Sequence, residues 1–302
     1  MAVNQKRVKP QEGWRQDRWE TLQEPGFSCR VLISPYNLRI TVDEFFLAKE
    51  ENAVEMVRAL EEKAAASGLD KIWLKSPAKW KHAFTTAGMS LEATIPGYYL
   101  GRETALVFSK YLSAKRKTPS LNKRVKPPVL SSVSGRVKNK RELPQGIQLK
   151  WGRKEDSRIL ADLYHNTFPT YPFPVSDPAY LEYSMRQHVI YITAWFGDEL
   201  VAAASAEINS RMKNAEMTDF ATIPGWRGHG LAGCLLGKLE DRLRQEGLRC
   251  FYTISRSSST GMNRVFAGAG YNFYGVLINN CNIGGGFEDM YLWAKPAFNQ
   301  EK

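Results

Sequence analysis

A short glycine-containing segment, Arg227–Ala232, lies between a strand-like run and a helical run and has the residues of an anion site. The pattern before it predicts a strand over Met217–Ile223, and the leucine spacing after it predicts a helix that ends at Gly247. The first N–H groups of a helix lack intrahelical partners and carry the positive end of its dipole, so they bind phosphate. Gly228 and Gly230 have no Cβ atoms, which lets a pyrophosphate approach the main chain.

Three other interpretations of segment 227–232 can be compared with its residues. An ordinary strand-to-helix connection also needs a turn and a glycine, and this remains the simplest alternative. A Walker A loop is excluded because no Lys-Ser/Thr pair follows the glycines, and the G-x-G-x-x-G pattern of dinucleotide-binding folds is absent.

The elements that must position this segment alternate between strands and helices along the whole chain. Strands are predicted at Cys29–Ile33, Leu38–Val42, Lys71–Lys75, Met89–Ile95, Thr104–Tyr111, Ile147–Trp151, Ile190–Phe196, Glu199–Ile208, Cys250–Ile254, Phe273–Asn279 and Met290–Lys295, and helices at Asn52–Ser67, Glu155–His165, Tyr180–Gln187 and Met262–Ala267. This alternation, with an antiparallel end, indicates an α/β fold of the layered α+β kind.

Composition divides the 302 residues into four segments. We expect a flexible tail over 1–22, an α/β domain over 23–112, a basic linker rich in Pro and Ser over 113–146, and a second domain over 147–298. The two domains share a weak internal repeat. The matched positions are Gly101, Glu103 and Lys110 with Gly286, Glu288 and Lys295, and Ala87–Met89 with Ala269–Tyr271.

Charge and cysteine usage exclude several classes of protein. Residues 1–150 hold 27 Lys and Arg against 15 Asp and Glu, but no aromatic residue is interleaved in the basic run of 113–150 before Trp151, so we expect no nucleic-acid partner. No apolar run approaches the roughly 20 residues that span a bilayer, which predicts no membrane partner. Four scattered cysteines and four histidines show no metal spacing and fit reduced thiols in the cytoplasm.

Arg227, Gly230 and Ala232 stand in the order R-x-x-G-x-A, which resembles the acetyl-CoA-binding motif of the GCN5-related N-acetyltransferases (GNAT). The resemblance extends over about 148–298 and implies the GNAT acyl-CoA N-acyltransferase fold, with acetyl-CoA as co-substrate and no metal. Asn263, with Gly270 and Gly275 after it, is similar to the family's second cofactor-side motif, where the asparagine contacts the pantetheine arm. The first domain, which lacks the arginine-glycine turn, is then a degenerate GNAT-like half-domain that supports packing.

Two further segments are similar to the beta-lysine N-acetyltransferases within this family, namely 284–290 (GGGFEDM) and 95–99 (IPGYY). This similarity covers most of the chain. It implies transfer of acetyl to the side-chain (N6) amine of beta-lysine, a small cationic amino acid of lysine metabolism. The product, N6-acetyl-beta-lysine, is a compatible solute used in osmoadaptation.

The resemblance also implies roles for individual residues. The cofactor-binding positions are Thr222, Ile223, Arg227, Gly228, His229, Gly230, Leu231, Ala232 and Asn263, with the main chain of Thr222 and Ile223 donating to the developing oxyanion. Asp219 lies where related polyamine acetyltransferases hold the substrate amine, so it is either a substrate-binding base or a strand-end carboxylate in a salt bridge. Glu288 and Asp289 follow three glycines and either bind the cationic substrate or belong to a polar turn.

The proton donor for the leaving thiolate is unassigned at this stage. Many family members carry a tyrosine four residues before the glycine that matches Gly270, and this chain has Phe266 there. Phe266 has no proton to donate, so the thiolate leaves unaided or takes its proton from Tyr271 or water.

Two alternatives remain open from the sequence. The fold is compatible with another acceptor, such as a polyamine, lysine or another small amine. A protein of a different class, a basic nucleic-acid or surface-binding protein with a degenerate acetyltransferase domain, would explain the basic linker instead.

Overall fold

The computed structural model describes residues 17–119 and 142–296. The first half contains six strands and three helices. They are β1 (Arg18–Glu24), β2 (Phe27–Ser34), β3 (Arg39–Leu47), α1 (Asn52–Ala66), β4 (Lys71–Pro77), α2 (Lys81–Thr86), β5 (Ser90–Tyr99), β6 (Glu103–Tyr111) and α3 (Ala114–Lys117). β1 begins inside the segment predicted as a tail, and α3 lies inside the predicted linker.

The second half contains seven strands and four helices. They are β7 (Ile147–Trp151), α4 (Ser157–Thr167), α5 (Pro178–Gln187), β8 (Val189–Phe196), β9 (Glu199–Asn209), β10 (Asn214–Thr222), α6 (Leu231–Gln245), β11 (Cys250–Arg256), α7 (Thr260–Gly268), β12 (Asn272–Ile283) and β13 (Gly286–Pro296). β12 and β13 are longer than the sequence pattern predicts, because their ends pair across the Gly284-Gly285 turn.

All thirteen strands form one sheet in the order β1-β2-β3-β4-β6-β5-β12-β13-β11-β10-β9-β8-β7. When the edge strand β7 is left out, the order reads the same from either edge once β1–β6 are matched with β8–β13. Each half has one parallel pair, β3 with β4 and β10 with β11, and each pair is connected by a long helix. The repeat predicted for the C-terminal portion of the second half therefore extends over β8–β13.

Equivalent lysines make the same contacts in the two halves. Lys110 Nζ donates to the Ala87 carbonyl (3.2 Å) and lies 3.1 Å from Glu61. Lys295 Nζ donates to the Ala269 carbonyl (2.7 Å) and lies 2.7 Å from Glu240. Each lysine thus ties the long helix of its half to the turn before the next strand.

The halves differ at the connection between the parallel strand and the long helix. Four residues, 48–51, join β3 to α1, whereas eight residues, 223–230, join β10 to α6. The first half therefore lacks the longer connection that holds the glycine turn in the second half.

The two halves meet where β5 pairs with β12 at Ala93 and Gly275. A charged network lies beside this contact: Lys71 Nζ donates to the Ile278 carbonyl (2.8 Å) and to Glu92 (3.2 Å), and the Ile278 N–H donates to Glu92 (2.9 Å). Because Lys71 and Glu92 are almost fully buried, losing either charge would leave the other unpaired. The network therefore fixes the halves in one arrangement.

Candidate active site

The glycine turn before α6 is open and left-handed at two positions. Gly228 has φ +86° and Gly230, the N-cap of α6, has φ +82°, a region that residues with a Cβ rarely adopt. No side chain caps this helix end. The main-chain N–H groups at Leu231 and Ala232, in the first turn, therefore face an exposed loop where an anion can reach them.

Arg227 and His229 stand on the same turn. Arg227 Nε donates to the Thr222 carbonyl (3.1 Å), and His229 Nδ1 lies 3.2 Å from the Arg227 carbonyl. Both side chains are close to solvent, and the Trp226 ring lies 5.6 Å from the His229 ring. The arrangement places one permanent cation beside the open helix end, as phosphate binding requires.

A cavity of about 120 Å³ opens where β10 and β11 separate. The two strands pair only over Asn214–Glu216 and Cys250–Tyr252, and beyond these residues they diverge. Both strands line the cavity with residues that follow the paired region. The opening leaves main-chain groups of β10 without a neighbouring strand, and an extended ligand can pair with them.

The two predicted oxyanion donors differ in orientation. The Ile223 N–H donates to the Val201 carbonyl of β9 (3.0 Å), so it already has a partner. Thr222 lies directly opposite Ala202, in a pair of the non-hydrogen-bonded kind, so its N–H points away from β9 and toward the opening. Of these two groups, the Thr222 N–H is the one that has no partner in β9.

Asp219 lines the cavity from a β-bulge in β10. The register with β9 shifts between Thr218 and Ala221, and Asp219 has φ +52°, a strained value for a residue with a Cβ. Its carboxylate accepts hydrogen bonds from Ser205 Oγ (2.6 Å) and the Tyr171 hydroxyl (2.7 Å). Burial raises the pKa of this carboxyl above its ordinary value, while these two hydrogen bonds act to lower it. No ion pair of Asp219 is formed within the described part of the chain.

The loop between α4 and α5 supplies aromatic residues to the cavity; from its sequence, this loop is either a cover over the acceptor or a packed surface loop. Phe168 and Tyr171 line the cavity, and their rings lie 4.6 Å apart. The signal was present in the sequence as the aromatic, proline-rich run 168–174, but nothing local indicates that Tyr171 reaches Asp219, 48 residues further on.

Asn263 is fully buried and is held at all four of its hydrogen-bonding positions. Its Nδ2 donates to the Arg256 carbonyl (3.0 Å) and the Ser257 carbonyl (3.4 Å), and its Oδ1 accepts from Ser255 Oγ (2.7 Å) and Trp293 Nε1 (3.0 Å). The expected contact with the pantetheine arm is therefore not available to this side chain as it lies. Asn263 instead positions the end of β11, which forms one wall of the cavity.

Phe266 and Tyr271 occupy different environments. Phe266 lines the cavity, so the position that matches the family's tyrosine faces this cavity. Tyr271 packs behind Phe266, with ring centroids 5.4 Å apart and Lys295 Nζ 5.6 Å from its own centroid. Burial and the Glu240 carboxylate raise the pKa of Tyr271 well above its ordinary value. The structure does not bring Tyr271 to the cavity.

Glu288 and Asp289 lie within β13 and not in a turn. Glu288 pairs with Arg256 and accepts from Ser258 Oγ (2.6 Å), so it holds the rim of the cavity in place. Asp289 accepts from the Asn279 N–H (2.8 Å). Neither carboxylate lines the cavity.

No group of three or more His, Cys, Asp or Glu residues in the described ranges has an arrangement that holds a metal ion. In the same ranges no helix is both long and apolar enough to cross a membrane.

Comparison with known proteins agrees with this geometry. The model of the acetyltransferase (GNAT) family matches residues 158–271, which include β10, the glycine turn and α6. The N-acetyltransferase YodP of Bacillus subtilis is 34% identical over 281 residues, which cover 91% of this chain and 94% of that protein.

Two further relatives are called beta-lysine N(6)-acetyltransferase. The protein of Methanococcus maripaludis is 31% identical over 265 residues, 88% of this chain and 95% of that protein. The protein of Methanosarcina mazei is 32% identical over 262 residues, 80% of this chain and 96% of that protein. The matches to these three relatives span both halves of the sheet. They confirm the predicted fold and the prediction that the protein is an N-acetyltransferase. The chain belongs to the GNAT acetyltransferase family.

Proposed function

We propose that this enzyme moves the acetyl group of acetyl-CoA to the N6 amine of beta-lysine, giving N6-acetyl-beta-lysine. The observation that carries the proposal is the extent of the similarity to two proteins called beta-lysine N(6)-acetyltransferase, which includes the first half of the chain. An acetyltransferase domain shared only over β7–β13 would leave the acceptor open.

The cofactor end of the reaction depends on the turn before α6. Acetyl-CoA, when bound, supplies the thioester that the amine attacks. The uncapped N–H groups at Leu231 and Ala232, with Arg227 beside them, are suited to its pyrophosphate. The Thr222 N–H, which points into the opening of the sheet, is suited to stabilise negative charge on the acetyl oxygen.

The acceptor end depends on Asp219. A primary amine with a pKa near about 10 is protonated at neutral pH and must lose a proton before it attacks. The Asp219 carboxylate attracts and orients the ammonium and, because burial raises its pKa, is a better proton acceptor than an ordinary aspartate. The N–C bond then forms, the C–S bond breaks, and the thiolate leaves with the electron pair and takes a proton from the site.

Tyr171 and Thr218 both line the cavity and donate hydroxyl hydrogen bonds to Asp219, and the bond from Tyr171 is the shorter, 2.7 Å against 3.3 Å. The bond from Tyr171 holds the carboxylate in one orientation. The kinetics of Tyr171→Phe distinguish this positioning role from donation of the hydroxyl proton to the thiolate. Two wider expectations accompany the proposal: the product serves as a compatible solute, and the reaction takes place in the cytoplasm.

The test is an acceptor panel measured by release of the CoA thiol. Wild-type enzyme is assayed with beta-lysine, lysine and spermidine, and kcat/KM is expected to be highest for beta-lysine. A preference for spermidine or lysine would overturn the substrate. Thermal shift with acetyl-CoA is measured alongside, and lack of stabilisation at saturating ligand would contradict cofactor binding.

A further inference from the structure

A second group of polar side chains lies on the sheet face that the two halves share. Glu207, Glu216 and Tyr252 are direct neighbours across β9, β10 and β11, so their side chains point to the same face in one row. Glu216 is half-buried. No ion pair within the described ranges includes Glu216.

A lysine of the first half reaches the same place. Lys75 of β4 is half-buried, and its Nζ lies 5.2 Å from the ring centroid of Tyr98, 5.3 Å from that of Trp73 and 5.7 Å from that of Tyr252. Since Tyr252 is the direct neighbour of Glu216, this cation stands across from the carboxylate row. Lys75 also belongs to no ion pair of the described residues.

Beside Lys75, the indole N–H of Trp73 has no hydrogen-bond acceptor within the described ranges. Trp73 is 5% exposed, and its Nε1 is buried. An unpaired buried N–H beside a cation costs free energy unless a ligand accepts from it. The N–H of Trp73 and the ammonium of Lys75 are both suited to an anionic group.

The first half is held against the acceptor side of the second half at this point. Asn214 Nδ2 donates to the Tyr98 carbonyl (2.8 Å), and the Leu100 N–H donates to the Met212 carbonyl (2.8 Å). These bonds join the end of β5 to the β9–β10 hairpin, although β12, β13 and β11 lie between them in the sheet order. The sheet is therefore curled, and its inner face carries Lys75 toward Glu216.

We propose that Lys75 and Glu216 form the specificity subsite that holds the amino-acid end of the acceptor, with Lys75 on its carboxylate and Glu216 on its second ammonium. This inference rests on the proposed function and makes the first half part of the substrate site. In beta-lysine the carboxylate and the 3-ammonium are two carbons apart, so one end of the molecule presents an anion and a cation together. Lys75 and Glu216 present the complementary pair.

The spacing along β10 agrees with the length of this acceptor. Glu216 and Asp219 are three residues apart on one strand. Glu216 pairs with Glu207 of β9, and Asp219 accepts from Ser205, two residues before Glu207, so the bulge turns Asp219 to the sheet face that carries Glu216. Three residues of extended strand span roughly 10 Å, and the bulge shortens that distance. The four-carbon chain between the two nitrogens of beta-lysine (C3 to C6) bridges a gap of this order, with the distal amine at Asp219.

The experiment uses two truncated acceptors with the full-length enzyme. 1,4-Diaminopentane is beta-lysine without the carboxylate, and 6-aminohexanoate is beta-lysine without the 3-amine. Wild-type kcat/KM is expected to be at least about tenfold higher for beta-lysine than for either one, as the loss of one charged contact predicts.

Each variant is expected to lose discrimination against one analogue only. Lys75→Met raises KM for beta-lysine at least about tenfold and leaves 1,4-diaminopentane within about twofold, because that diamine has no carboxylate to lose. Glu216→Gln raises KM for beta-lysine similarly and leaves 6-aminohexanoate unchanged. Lys79→Met and Glu199→Gln, at exposed positions, are the matched controls and keep wild-type values for all three acceptors.

The outcomes separate the inference from the proposed function. Suppose that wild type acetylates beta-lysine. If Lys75→Met changes KM for beta-lysine and 1,4-diaminopentane equally, or changes neither, and Glu216→Gln does the same for beta-lysine and 6-aminohexanoate, the subsite is wrong and the function stands. If wild type does not acetylate beta-lysine, the proposed function fails and the subsite with it. A second replacement, Lys75→Gln, is assayed with the same acceptors. Thermal unfolding and KM for acetyl-CoA are measured for this variant too, so that a loss of fold is not taken for a loss of acceptor recognition.

Discussion

The Tyr171 hydroxyl donates a hydrogen bond of 2.7 Å to the Asp219 carboxylate, and this contact joins the loop between α4 and α5 to the bulge of β10. Asp219 itself is buried and has a left-handed backbone. A strained, buried carboxylate persists only where its surroundings hold it. Tyr171 and Ser205 donate the two shortest hydrogen bonds that hold it here, and Thr218 donates a longer one.

Asp219→Asn removes the charge that attracts the acceptor ammonium and keeps the size of the side chain. We expect kcat/KM for the acceptor to fall at least about tenfold, with KM for acetyl-CoA unchanged. Steady-state kinetics with each substrate varied in turn measures this. Asp198→Asn, in the exposed turn between β8 and β9, is the control, and wild-type kinetics in Asp219→Asn would remove this residue from the site.

Tyr171→Phe separates positioning from proton donation. Loss of the hydrogen bond alone lets Asp219 rotate, which raises acceptor KM by roughly tenfold and leaves kcat close to wild type. Donation to the thiolate would instead lower kcat, since the effect falls on a step after binding. The change in acceptor KM compared with the change in kcat decides between these roles. Tyr183→Phe, at an exposed position of α5, controls for the loss of a hydroxyl.

The pH dependence of acceptor use is expected to reflect Glu216. Burial and the nearby Glu207 carboxylate raise the pKa of Glu216 to about 7, while the Lys75 ammonium lowers it. Below this value Glu216 is neutral and holds a cationic acceptor poorly, so kcat/KM for beta-lysine falls as the pH drops through about 7.

Deprotonation of the acceptor amine also raises kcat/KM with pH, in every variant alike. The ratio of wild type to Glu216→Gln cancels that contribution. We expect this ratio to rise between pH 6 and pH 8 and then level off. A ratio that is constant over this range would contradict the assignment, because Gln does not titrate.

Gly228 and Gly247 form a matched pair for testing the cofactor turn. Both have positive φ, +86° and +82°, and a Cβ built on either meets no atom within 4 Å. Substitution by Ala therefore costs each a similar backbone strain of about 1 kcal/mol. We expect both variants to lose similar Tm, and only Gly228→Ala to weaken acetyl-CoA binding, by about tenfold in titration calorimetry. Equal affinities in the two variants would remove Gly228 from the anion site.

Gly275 is required where the two halves meet. A Cβ there would lie 2.2 Å from the Glu92 carbonyl oxygen, and φ is +150°. Gly275→Ala is expected to destabilise the protein by about 2–4 kcal/mol, because main chain must move. Gly237→Ala, in the middle of α6 with no atom within 4 Å, should be neutral or stabilising by up to about 1 kcal/mol. Denaturant unfolding of both variants measures the difference.

The sequence by itself determined the family of this enzyme. Arg227–Ala232 is a local motif that depends on a turn and the helix after it, so consecutive residues indicated the family and predicted an anion site. The repeat was readable only in part, since three matched positions do not show that β1–β6 and β8–β13 share one order in the sheet. The family pattern predicted site roles for Asn263 and Tyr271. In the structure both side chains pack away from the cavity.

Only the tertiary structure decided the acceptor side. Tyr171 meets Asp219 because a loop folds over a bulge, and Lys75 stands across from Glu216 because the sheet curls. Both arrangements depend on strand register and sheet curvature, which arise from pairings between residues far apart in the chain. A local pattern carries no record of such pairings, so residues from two halves converge on one ligand without any shared motif.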